Sequence, residues 1–231
     1  MISRTRIPLG LAALIAALLT LTACGGSEPG SDSGPAAIVE STAQTNGDGG
    51  VEYSGIVRTP SPKVGGLSLP NASDDGKPLT FMAQPGHVLL VFFGYTHCPD
   101  VCPTTLADLR AVTRRLPAAD RDRVDVAFVT VDPARDTAAV INPYLHSFFP
   151  EGSALRTDDA AELKRVADGF SAAYSVEKRA DGGIDVTHTG FLTAVDPDGR
   201  IIVQWPFGTP QAAVEHDLEL ILAAIGGPIQ E

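Results

Sequence analysis

Apolar residues recur along this chain with two different periods. Residues 87–93 (His-Val-Leu-Leu-Val-Phe-Phe) and 124–131 are nearly continuous apolar runs. Runs of that length without alternation predict strands buried on both faces. Between them, Leu106, Leu109, Val112 and Leu116 repeat at helical spacing over 103–116. Pro103 suits a first turn and Pro117 stops the helix. Residues 137–148 read as a helix that Pro143 kinks or divides. Residues 158–174 read as a helix with Leu163, Val166, Ala167 and Phe170 on one face, and 211–225 as a closing helix. Two short apolar runs, 191–195 and 200–204, flank Asp196-Pro197-Asp198-Gly199, a hairpin signal. Residues 51–57 alternate in part and predict a short strand. The proline- and glycine-rich stretch 60–78 predicts loop.

The resulting order is strand, helix, strand, helix, helix, hairpin, helix. Alternation of this kind implies an α/β layer architecture, and the final hairpin makes the sheet mixed. A strand that runs into a cysteine loop and then a helix, with a terminal strand–strand–helix unit, predicts a thioredoxin-like fold: a mixed central sheet flanked by helices. No internal repeat and no second linker interrupt residues 51–231, which therefore form one domain.

The front of the chain reads as an address. Arg4 and Arg6 precede an apolar run over 9–21 that ends in small residues, the layout of a secretory signal. Leu21-Thr22-Ala23-Cys24 resembles a bacterial lipobox. That resemblance implies cleavage after residue 23 and lipidation of Cys24, and two acyl chains suffice for stable anchoring. Residues 24–50 are rich in Gly, Ser and acids and lack aromatics, a composition expected of a flexible tether. The domain over 51–231 is thus expected on the extracytoplasmic face of the cell membrane, held by a lipid anchor.

Charge and cysteine count narrow the function. Asp and Glu number 28 against 17 Lys and Arg, a formal net charge of −11. Nucleic-acid affinity comes largely from cations on phosphates, so a nucleic-acid partner is excluded. Three cysteines do not make a disulfide scaffold. With Cys24 taken as the anchor, Cys98 and Cys102 carry the chemistry. In an oxidising compartment such a pair forms a disulfide, holds a metal, or alternates between the two.

The pair lies in Gly94-Tyr95-Thr96-His97-Cys98-Pro99-Asp100-Val101-Cys102-Pro103-Thr104, where a central strand meets a helix N-terminus. A helix start favours thiolate, which is both nucleophile and metal ligand. Cysteines at i and i+4 share a helix face, and two thiolates select Cu(I) or Zn(II). Of the five histidines, His188 stands apart. It lies in Asp185-Val186-Thr187-His188-Thr189, in the loop expected to enter the strand beside the cysteine loop. One imidazole and two thiolates suit copper. His97 adjoins Cys98, but neighbouring side chains diverge, so it is not assigned as a ligand; His87, His146 and His216 read as ordinary residues. Asp132 either supplies an outer hydrogen bond or weak ligand, or closes a turn before Pro133. Arg135 and Asp136 are expected to fix their loop by local pairing. Asp100 tunes charge or caps the helix.

These segments resemble the Sco/SenC family of copper chaperones. The motif at 94–104, Val131-Asp-Pro-Ala-Arg-Asp-Thr137 and Asp185-Val-Thr-His188 carry the likeness, which spans roughly residues 51–224. The resemblance implies a thioredoxin fold that binds one copper, as Cu(I) or Cu(II), through Cys98, Cys102 and His188. It also implies delivery of copper to, or thiol reduction at, the CuA-bearing subunit of cytochrome c oxidase, with Cys98 and Cys102 as the redox-active pair. The rival reading is an extracytoplasmic thiol–disulfide oxidoreductase, which would use both cysteines and have no need of His188. A mobile loop carrying His188 would admit and release the metal.

Overall fold

The computed structural model describes residues 52–226. The expected signal segment 1–23, the tether 24–50 and Cys24 lie outside the described residues. Nine strands and five helices follow one another within the described residues. In chain order they are β1 (Ser68–Asn71), β2 (Lys77–Thr80), β3 (Val88–Gly94), α1 (Val101–Arg115), α2 (Ala118–Arg121), β4 (Val124–Thr130) and α3 (Ala138–His146). Then come β5 (Ser153–Leu155), α4 (Ala160–Gly169), β6 (Tyr174–Lys178), β7 (Ile184–His188), β8 (Leu192–Val195), β9 (Ile201–Trp205) and α5 (Gln211–Ile225).

Seven strands form one sheet in the order β2-β1-β5-β4-β3-β8-β9, while β6 and β7 pair separately. β3 runs parallel to β4 and antiparallel to β8, so the sheet is mixed. All seven residues of β3 are buried, as its unbroken apolar run requires at the sheet centre. The thioredoxin-like arrangement is therefore present. α1 turns Leu106, Leu109 and Val112 inward and packs against α5. Pro103 occupies its first turn, and the helix stops at Leu116, before Pro117.

Several elements differ from the sequence expectation. Residues 52–57 form no strand; Ile56 makes only an isolated bridge to Gln204. The stretch expected as loop holds the β1–β2 hairpin, with Pro70 opposite Pro78 at the sheet margin. Prolines are tolerated there because few ladder donors are needed. α4 ends at Gly169 rather than running to residue 174, because Ser171 adopts a left-handed φ of 55°. The residues that follow become β6. Its partner β7 alternates half-buried Ile184, Val186 and His188 with exposed Asp185 and Thr187. His188 is thus the last residue of a strand, not part of a loop.

Candidate metal centre

The site is assembled where β3 ends and α1 begins. Gly94 closes β3, and a Cβ there would lie 2.8 Å from Cys102 Sγ and 3.0 Å from Phe128. No side chain fits, so the glycine lets the second sulfur approach the sheet. Asp100 caps α1 by accepting a 2.7 Å hydrogen bond from the Val101 N–H. Capping is thus the one of its two expected roles with a visible contact. Cys98 lies in the loop just before the cap and Cys102 in the first turn; the Cys102 N–H donates to Cys98 Sγ at 3.3 Å. Both are free thiols; Cys98 is 8% exposed and Cys102 fully buried.

β7 delivers the third donor. His188 Nε2 stands 3.4 Å from Cys102 Sγ. The ring's other nitrogen lies 3.2 Å from the Thr189 carbonyl, which can only accept, so Nδ1 carries the proton and Nε2 offers its lone pair. Phe92 and Tyr95 meet the imidazole edge-to-face, at centroid distances of 6.0 and 5.8 Å. The base of the hairpin is fixed by the Thr189 N–H, which donates to Ala173 O at 2.8 Å, and by Thr189 Oγ1, which accepts from the Ala173 N–H at 2.9 Å. One donor atom from each of Cys98, Cys102 and His188 lies within 4.8 Å of the others.

Burial sets the electrostatics. It pushes the Cys102 thiol well above its ordinary value, a backbone hydrogen bond only partly opposing the shift. The helix N-terminus therefore does not make Cys102 a thiolate, contrary to the sequence expectation; desolvation outweighs it. Burial also lowers the His188 pKa, against the opposing Thr189 carbonyl, and so favours the neutral ring that can ligate. The Tyr95 and Tyr144 hydroxyls are raised, first by burial and then by both cysteines. Two soft sulfurs and one neutral imidazole, mutually in reach, fit a copper site.

The surrounding residues resolve the remaining expectations. Asp132 is buried and pairs with Arg135, whose guanidinium carbon sits 5.9 Å above the Tyr95 ring; the carboxylate stands apart from the cluster. Asp136 does not pair locally as expected. It reaches across to Thr96, accepting from its N–H at 3.0 Å and its hydroxyl at 2.5 Å, and accepts from the Thr130 hydroxyl at 2.6 Å. His97 is outside the cluster. His87 pairs with Asp125, His146 contacts Ser73 and Gly152, and His216 is exposed. Gly94, Phe92 and Tyr95 are the contributors that sequence reasoning missed. A glycine closing an unbroken apolar strand was the one available signal of close approach.

A family model described as SCO1/SenC matches residues 68–223. The chain belongs to the SCO1/SenC family. The solution structure of apo Sco1 from Thermus thermophilus is 30% identical, with a TM-score of 0.63 over 73% of this chain and 96% of that one. The structure of Bradyrhizobium japonicum ScoI with copper bound is 34% identical, with a TM-score of 0.57 over 67% and 96%. A Stutzerimonas stutzeri protein named for copper binding is 34% identical over 135 residues, 58% of this chain and 65% of its own length. A SCO2-like protein of Rickettsia prowazekii is 34% identical over 119 residues, 50% of this chain and 56% of its own. The chain thus spans less than two thirds of either relative.

Proposed function

We propose that this Sco protein is a lipid-anchored, extracytoplasmic copper carrier that delivers the ion to the CuA-bearing subunit of cytochrome c oxidase. The observation that carries the reading is the convergence of His188 Nε2 on the Cys98–Cys102 pair. A dithiol reductant would need the two sulfurs alone. A neutral imidazole with its lone pair turned toward a buried thiol adds a third donor of the type Cu(I) takes. The copper bound to the Bradyrhizobium relative supports the same cargo.

Copper is here a substrate, taken up and handed on. Uptake displaces one proton from each thiol, including the Cys102 proton that burial otherwise retains, and places the ion between two thiolates and His188. Release follows by ligand exchange as thiolates of the receiving protein replace the two sulfurs and His188 in turn. The ion stays Cu(I), and each displaced sulfur regains a proton.

Transfer is tested by incubating the Cu(I)-loaded full chain with the copper-free CuA-bearing subunit and measuring copper in each after separation. Copper should move to the subunit, and neither loading nor transfer should survive Cys98→Ser with Cys102→Ser. Copper that stays with the carrier while the subunit's own disulfide is reduced would favour the reductant. Anchoring is tested by Cys24→Ser, which should shift the protein from the membrane fraction to the soluble one.

A further inference from the structure

His97 precedes Cys98 and keeps 51% of its side chain exposed, outside the three-donor cluster. Its ring is nonetheless fixed. The Thr96 hydroxyl donates its single proton to Asp136 Oδ1 at 2.5 Å. That hydroxyl can only accept from its other neighbour, His97 Nδ1 at 3.1 Å. In the neutral ring Nδ1 therefore carries the proton and Nε2 keeps the lone pair. Asp136 is fully buried and held by the Thr96 N–H and the Thr130 hydroxyl, so the far end of the relay is rigid.

An imidazole whose far nitrogen is hydrogen-bonded toward a carboxylate is how proteins orient a metal-binding histidine. An ordinary surface histidine has no need of a buried aspartate behind it. The cluster itself is poorly accessible, since Cys102 is fully buried and Cys98 only 8% exposed. His97, next to Cys98 in the same loop, is by contrast half exposed.

We propose that His97 Nε2 is a transient copper ligand, oriented by the Thr96–Asp136 relay, through which the ion passes on its way to and from Cys98. The inference rests on copper being the cargo. A bond forms from Nε2 to Cu(I) while one donor ligand leaves. Cys98 then loses its thiol proton to solvent as the sulfur–copper bond forms, and the Nε2–copper bond breaks. No electron moves, and the ion stays Cu(I). Release is the reverse.

The test is stopped-flow loading of the reduced, anaerobic full chain from a coloured Cu(I)–bicinchoninate complex, followed by release to excess bicinchoninate. His97→Ala should slow loading and release together by roughly tenfold, the lower end of the effect of losing a metal-orienting group, with Kd unchanged. Thr96→Val, which breaks the relay but keeps His97, should slow both less. Rates equal to wild type in both variants would overturn the inference while leaving the copper reading intact. A weaker Kd at an unchanged loading rate would also overturn it, by making His97 a resident ligand. A wild-type chain that takes up no Cu(I) would end both readings.

Discussion

The chemistry of this site is decided by what surrounds two sulfur atoms. Burial holds the Cys102 thiol protonated far above its ordinary value, so metal binding must expel a proton there. The sign follows. The free protein keeps the proton throughout the neutral range, the loaded protein does not, and raising pH favours the loaded form. Apparent Cu(I) affinity should rise with pH by up to about tenfold per unit for each proton released. A competition titration against bicinchoninate, corrected for the chelator's own protonation, checks this between pH 6 and 8. His188 should add less to that slope than an ordinary histidine, since burial lowers its pKa and favours the neutral ring. Gly94 is the second residue with a sharp consequence. Gly94→Ala drives a methyl group to 2.8 Å from Cys102 Sγ and should cost about 1–3 kcal/mol by urea denaturation. It should also weaken Cu(I) binding, because the sulfur has to give way. His188 itself was legible as a candidate donor from its place before an apolar strand. The raised thiol was not, because helix-terminus reasoning omits desolvation.

The β6–β7 hairpin is the element that joins the fold to the site. It has only its own two strands, and its outer positions are exposed. An isolated pair of this kind is held weakly compared with β3, every residue of which is buried. Amide exchange in 174–188 should therefore be faster than in β3 and β4, and Cu(I) should slow it by tying His188 to the cysteines. Exchange measured by mass spectrometry with and without the metal checks this. Unchanged hairpin protection on loading would mean that His188 does not ligate. The alternation of Ile184, Val186 and His188 was visible in the sequence, but the neighbouring helix pattern extended over the start of β6. The turn that ends α4 places its left-handed φ at Ser171 rather than at Gly169, so the glycine at the helix end does not mark where the chain turns. By contrast, α5 occupies the predicted range, because its apolar spacing continues without interruption up to Gly226.

At the level of the whole molecule, the mixed sheet was readable because its central strands are continuous apolar runs and its last two flank an Asp-Pro-Asp-Gly turn. The margin formed by β1 and β2 was not, since Pro70 and Pro78 hide a hairpin inside a loop-like composition. What the fold achieves is convergence. Residues 98, 102 and 188 come from a loop, a helix start and a hairpin end, and meet within 4.8 Å. The anaerobic Cu(I) titration of the reduced full chain, run beside His188→Ala and the Cys98→Ser/Cys102→Ser pair, asks whether that convergence is a copper site. One Cu(I) should bind tightly to the wild type, the double variant should lose it, and His188→Ala should weaken it by about tenfold or more. A wild type that binds no Cu(I), or an affinity indifferent to His188, would contradict the three-donor site.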